Sequence, residues 1–331
     1  MGADYIFACA RVRSMEKYLL GKEKLGLMIE ARTPEDAMKV LSEAQYGSEG
    51  ETVRPEDYER LLSQETRKLN ELLRELAPGE EAFRIFSLPL DYHNIKTLLK
   101  AEFLEIDASH LLMNGGTIEA QAMAVLVRER NYMGMTGHMR KAIEETVDAH
   151  ARIQDPQCID LICDRECYAE LLEAAEASGS DFVRGYVRLM IDTIDLKTFA
   201  RARKMGQPWG YFSSVFIPGG NIIEKTFVAG YEDPLNQFAS RLEGTALYGV
   251  AEEGLQALKE TGSFTVLERL CDNALMAYLK DAKYISFGVE PLIAYVAAKQ
   301  TEIRSVRIIL AGKTAGLAPD LIRERLRETY G

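Results

Sequence analysis

Three stretches decide how this chain reads: Asp91-Tyr92-His93-Asn94-Ile95-Lys96, Asp192-Thr193-Ile194-Asp195-Leu196-Lys197 and Glu302-Ile303-Arg304-Ser305-Val306-Arg307. Each runs acid, two residues, small polar, aliphatic, base, and the likeness continues through Thr97-Leu98, Thr198-Phe199 and Ile308-Ile309. The copies begin 101 residues apart (91 to 192) and 110 apart (192 to 302), so three units of that size nearly fill 331 residues. An acid followed five residues later by a base is common in charged helices. A repeat therefore needs further landmarks. Two copies are followed by a glycine pair and an aliphatic, Asn114-Gly115-Gly116-Thr117-Ile118 and Pro218-Gly219-Gly220-Asn221-Ile222, and the third by the looser Ala315-Gly316-Leu317. Upstream, Asp164, Ala169 and Leu171 align with Asp272, Ala277 and Leu279. Together these landmarks read as a triplicated module.

Residues five apart on a helix are rotated by about 140°, so Asp91 and Lys96 do not pair within one helix as residues four apart do. Asp91, two residues after Pro89, has the place of a helix cap. That account fails for Asp192 and Glu302, which lie deep inside helical patterns. The acid and base of each motif are therefore expected to reach partners on other segments and to link modules. Lys197, in the middle unit that would touch both neighbours, is expected to matter more to stability than Lys22 on an exposed turn.

Apolar residues make up 47% and charged residues 27%, the balance of an ordinary globular protein with room for two or three domains. The net charge of −11 disfavours non-specific binding to nucleic acid or anionic lipid. No apolar run approaches the roughly 20 residues that span a bilayer. The opening lacks a basic stretch followed by an apolar one, and Ile6 stands where a myristoylation signal wants Ser or Thr, so a cytoplasmic protein is expected. Five cysteines, an odd number, point to reduced thiols. Cys158, Cys163 and Cys167 match no common zinc spacing, and Cys163 and Cys167 share a helical stripe with Ile159 and Leu171, the pattern of a core.

Taken in order, residues 5–20 read as an amphipathic helix, and Thr33-Pro34-Glu35-Asp36 opens a second that stops at Tyr46-Gly47. Residues 55–76 form a leucine-rich helix before the breaker Pro78-Gly79. From Glu43 to Glu81 there are eleven acids and five bases, a solvated face or a dock for a basic partner. Helices follow at 117–129, 138–151, 165–177 and 181–204, then an irregular stretch from Gln207 to Gly220. The last third carries helices at 234–249, 252–259, 264–280, 291–311 and 319–329, and from Lys299 to Gly331 it holds seven bases and four acids.

Catalytic constellations are missing. Gly312-Lys313-Thr314 resembles the end of a phosphate-binding loop, but Arg307 stands where that loop needs its first glycine and the context is helical. Gly312 and Lys313 are better read as the end of a helix. His93, His110, His138 and His150 are scattered, and no nucleophile and base pair stands out. No catalytic, cofactor-binding or metal-binding residue is expected.

Several segments carry a family resemblance: Ala10-Arg11-Val12-Arg13 with Leu19-Leu20, Asp91 to Lys96, Cys158-Ile159-Asp160 to Tyr168, Ile191 to Lys197, and Phe287 to Tyr295. With Lys299 to Leu310, the most specific part, they resemble the C subunit of V-type and A-type ATPases and ATP synthases, whose counterpart in eukaryotic vacuolar enzymes is the d subunit. The likeness covers the whole chain. One departure is Asp195 and Ser305 where the first motif has Asn94, which argues against a fixed role for that amide. The resemblance implies an all-α, funnel-like protein of three similar helical domains around a pseudo-threefold axis, here residues 1–113, 114–217 and 218–331. It implies a non-catalytic central-stalk rotor part, peripheral at the cytoplasmic face of the membrane. Its partners would be the axle subunits D and F and the membrane ring of proteolipid (c or K) subunits, and its work the transmission of torque for ion transport or ATP synthesis. Asp91, Lys96, Asp192, Lys197, Glu302 and Arg307 would be structural repeat positions. A helical-repeat scaffold in another cytoplasmic assembly is the alternative.

Overall fold

A computed structural model describes residues 5–44, 46, 47, 54–76 and 81–331. Among them the chain is all-α, with no strand. In chain order the helices are α1 (Ile6–Glu16), α2 (Lys22–Glu30), α3 (Pro34–Glu43), α4 (Tyr58–Leu76), α5 (Arg84–Leu104), α6 (Ala120–Glu129), α7 (Gly137–Ile153), α8 (Gln157–Ala177), α9 (Asp181–Lys204), α10 (Trp209–Val215), α11 (Glu224–Ala229), α12 (Tyr248–Thr261), α13 (Thr265–Lys280), α14 (Glu290–Thr314) and α15 (Pro319–Arg325). The breaker Pro78-Gly79 lies outside the described residues.

Local chemistry sets many of these ends. Thr33 Oγ1 accepts from Asp36 N at 3.1 Å and Pro34 fills the first helical position of α3, so a donor that the helix leaves orphaned is satisfied. Asp155 Oδ1 accepts from Gln157 N at 2.9 Å, which lets α8 begin eight residues earlier than residue 165, where the apolar periodicity first shows. Several segments differ from the sequence expectation, among them α15, which stops at Arg325 rather than running to residue 329. The apolar spacing of Phe238 and Leu242 is satisfied by a short 3-10 turn between Pro234 and Gly244, whose φ of 82° bars a continuous helix, rather than by a helix over 234–249. The stretch from Gln207 to Gly220 contains α10, which forms because it buries Phe212.

The chain divides into two compact units. The first comprises residues 1–79, 199–205 and 226–331, and the second residues 80–198 and 206–225. In the first, α14 packs with α1, α2, α3, α4, α13 and α15. Its core gathers Met28, Leu41, Leu62, Val306 and Ile309, all at most 1% exposed. Each such side chain contributes about 1.5–3 kcal/mol by leaving water. Elsewhere in that unit Phe199 packs on Phe227, Tyr231 and Phe238, with ring centroids 4.2 to 5.6 Å apart. In the second unit, α5 packs with α6, α7 and α8. The three motifs lie on α5, α9 and α14, of 21, 24 and 25 residues, so each acid has helix on both sides of it.

Candidate functional site

The first motif acid, Asp91, is fully buried on α5. The helix runs straight through Pro89 from Arg84, so Asp91 is no cap. Its Oδ2 accepts from Thr117 N at 2.8 Å and Thr117 Oγ1 at 2.6 Å, and its Oδ1 from Ile118 N at 3.1 Å. Asn94, one turn on, holds the same loop: Oδ1 accepts from Met113 N and Nδ2 donates to Met113 O, both at 2.8 Å. The glycine pair explains itself here. Gly115 has φ of 102°, and any Cβ on Gly116 would overlap Asp91 Oδ1.

The second copy repeats this geometry on α9. Asp192 Oδ1 accepts from Ile222 N and Oδ2 from Asn221 Nδ2, each at 2.8 Å. Asp195 Oδ1 accepts from Ile217 N at 3.0 Å. Gly219 has φ of 111°, and a Cβ on Gly220 would overlap Asp192 Oδ1. Burial pushes Asp91 and Asp192 above the ordinary carboxylate range, while the loop hydrogen bonds pull the other way.

In the third copy the loop comes from the other end of the chain. Glu302 accepts from the backbone N–H of Leu20, 282 residues away, from the Tyr46 hydroxyl, and from Lys299 Nζ at 2.7 Å. Leu20 thus has the place of Ile118 and Ile222, and α2 follows it as α6 and α11 follow them. Lys299 lies 4.1 Å from the Tyr46 ring centre and 3.1 Å from Glu65, which also takes Lys68 and Gly47 N. Burial, then the Glu302 charge, push the Tyr46 hydroxyl well up. Ala315-Gly316-Leu317 is not the third loop. Gly316, with φ of 68°, ends α14 after Thr314, and Leu317 N donates to Gly312 O at 2.9 Å. Gly312 therefore lies inside the helix, where a Cβ would press on Ile322, and Lys313 Nζ donates to Ala31 O at 2.7 Å.

The bases behave unequally. Lys96 Nζ lies 2.8 Å from Asp164 and 3.8 Å from Asp160; burial works against its charge, but these carboxylates hold it above the ordinary lysine value. Arg307 grips Glu59 with two bonds, at 2.8 and 3.1 Å. Lys197 makes no ion pair among the described residues, and Asp272, aligned with Asp164, is taken by Arg327 at 2.7 Å. Ser305 Oγ donates to Thr301 O at 3.0 Å within α14.

A cluster that sequence reading missed sits on α8. Glu166 takes His138 Nδ1 at 2.8 Å, Lys141 at 2.9 Å and Arg165 at 3.2 Å. Glu170 takes Tyr92 Oη at 2.8 Å and Arg84 and Thr136 Oγ1 at 2.9 Å. Every carboxylate oxygen is engaged, and the contacts tie α5, the start of α7 and α8 together. Burial pushes the Cys163 thiol up to about 12, the behaviour of a core residue. Among the described residues no group of three or more His, Cys, Asp or Glu could hold a metal ion. No helix there is long and apolar enough to cross a membrane.

Comparison with known proteins extends this picture over the whole chain. The pattern of the ATP synthase (C/AC39) subunit family matches residues 8–325. The C subunit of the V-type sodium ATPase of Enterococcus hirae is 24% identical, covering 96% of this chain and 97% of its own length. The C subunit of the A-type ATP synthase of Methanocaldococcus jannaschii is 26% identical over 98% of this chain and 86% of its own. That of the V-type ATP synthase of Thermus thermophilus is 24% identical over 98% and 99%. A match of that extent, on a helical chain whose buried acids hold three loops in one manner, makes this protein a member of the ATP synthase (C/AC39) subunit family of V-type and A-type ATPases.

Proposed function

We propose that this chain is the central-stalk rotor component that joins the axle, subunits D and F, to the membrane ring of proteolipid (c or K) subunits at the cytoplasmic face. The observation that carries the reading is the family match from residue 8 to residue 325. The three gripped loops support it. A torque-bearing adaptor needs segments that do not slide, and buried charge-assisted hydrogen bonds from helix to loop resist sliding better than surface contacts do.

The same proposal includes three repeats. Each runs from a gripped aliphatic (Leu20, Ile118 or Ile222) to the end of the next motif helix, and each motif acid grips the start of the repeat that follows it. Glu302 and Leu20 then join the third repeat back to the first. This division refines the sequence-based boundaries of 1–113, 114–217 and 218–331, and the pseudo-threefold arrangement belongs to it. The chain works without catalysing a reaction or binding a cofactor.

Reconstitution tests the reading. The purified chain mixed with subunits D and F, and with a detergent-solubilised proteolipid ring, should co-elute with both. An enzyme lacking the chain should hydrolyse ATP without moving ions. Binding to neither partner, or intact coupling in its absence, would overturn the proposal.

A further inference from the structure

Asp195 stands where the first motif has Asn94, and the two begin alike: each uses Oδ1 to accept a loop N–H, from Met113 at 2.8 Å and from Ile217 at 3.0 Å. The second arm differs. Asn94 Nδ2 is a donor and gives its hydrogen to Met113 O, whereas Asp195 Oδ2 is buried with no hydrogen-bond partner among the described residues. The whole Asp195 side chain is 0% exposed. The titratable groups that face it are Asp192 on α9, Glu224 at the start of α11 and Tyr168 on α8, and no cation among the described residues pairs with it.

An ionised carboxylate in that setting would keep one oxygen stripped of water, uncompensated, beside two further acids. Such a group neutralises rather than bear the desolvation cost. Burial is the main cause that pushes Asp195 up to about 8; Asp192 and Glu224 add to the rise, and the Ile217 N–H opposes it.

We propose that Asp195 is a carboxylic acid in the folded protein at neutral pH, the proton on Oδ2 removing the charge from a buried oxygen that no partner among the described residues compensates, a charge that the neutral Asn94 amide avoids in the first copy. The loop through Ile217 is thereby latched by a proton, and alkaline pH loosens it. The group binds its proton more tightly folded than unfolded. Its contribution is therefore complete below the unfolded carboxylate value of about 4 and is lost as pH rises towards about 8. Within that window the folding equilibrium constant of the wild type should fall by up to about tenfold per pH unit relative to Asp195→Asn, which is uncharged at every pH.

The test compares wild type and Asp195→Asn by urea unfolding from about pH 5 to about pH 9, a range that brackets the titration. The variant should gain steadily on the wild type as pH rises, and the gain should level off above the folded value. Infrared spectra at neutral pH should show a protonated-carboxyl band in the wild type that the variant lacks. Asn94→Asp should acquire the slope that Asp195→Asn loses. Should Asp195→Asn fail to fold, the wild type alone still decides: exchange protection of the Ile217 amide should drop in alkali relative to the Ile222 amide held by Asp192. Parallel pH profiles, a shared infrared band or an unchanged protection ratio would each overturn the proposal.

Discussion

Glu302→Ala should destabilise the protein more than any other single change in the motifs, because it strips the acceptor from the contact that joins α14 to the start of α2. Glu302 is 6% exposed and accepts from Leu20 N, Tyr46 Oη and Lys299 Nζ. With the carboxylate gone, Lys299 keeps Glu65 at 3.1 Å, so the buried cation is still paired. The Leu20 N–H and the Tyr46 O–H are not rescued. Each buried, unsatisfied donor costs about 1–3 kcal/mol, so the two put the loss at about 2–6 kcal/mol. For a unit of this size that lowers the melting temperature by about 4–24 °C. Arg307→Ala is the matched control on the same helix. Its pair with Glu59 is half exposed, 44% and 54%, and its removal should cost about 0–1 kcal/mol. Thermal and urea unfolding followed by circular dichroism measures both, and amide exchange reads the Leu20 N–H directly. If Glu302→Ala unfolds within about 1 kcal/mol of Arg307→Ala and Leu20 stays protected, the view that this acid closes the third loop is wrong.

Gly116→Ala and Gly220→Ala should each lose about 1–3 kcal/mol, since the new Cβ displaces the Asp91 or Asp192 carboxylate from its loop. Gly26→Ala, inside α2 with open space around it, should instead gain about 0.5–1 kcal/mol; equal effects on denaturation midpoints would show that the glycine pairs are not seats for the acids. Lys96→Ala should cost about 1–2 kcal/mol through its contacts with Asp164 and Asp160, discounted because those carboxylates reach water. Lys197→Ala, with no ion pair to lose, should stay within about 0.5 kcal/mol of wild type, reversing the importance that its central sequence position implies. Calorimetric titration with ATP should give no binding heat for wild type or Lys313→Ala, because Gly312-Lys313 lies within α14 and its lysine serves Ala31 O; heat lost in the variant would contradict this.

Much of the molecule is legible in the sequence. Helical periodicity identifies α9 and nearly all of α13 and α14, because apolar residues at helical spacing leave no other way to bury one face. The acids at 91, 192 and 302 stand out as a set because helix-to-loop anchoring needs a particular side chain at a particular turn, and that need is written in residue identity. Gly116 and Gly220 are visible for the same reason: the absent Cβ is itself the signal.

What the acids hold is not visible there. Asp91 and Glu302 grip main-chain N–H groups at Ile118 and Leu20, and a backbone amide looks the same under every residue but proline. Leu20 could therefore take the third place without a glycine pair to announce it, 282 residues from its acid, while Gly316 offered a false match as an ordinary helix terminator. Similarly, nothing in the letters distinguishes Lys96, with two carboxylates in reach, from Lys197, which makes no ion pair among the described residues. The sequence by itself determined the class of structure, the long helices with a continuous apolar stripe and the motif acids that anchor them. Which backbone each buried group meets, and that Asp195 Oδ2 is buried with no partner among the described residues, depends on packing between segments distant in the chain, and only the tertiary structure decided it.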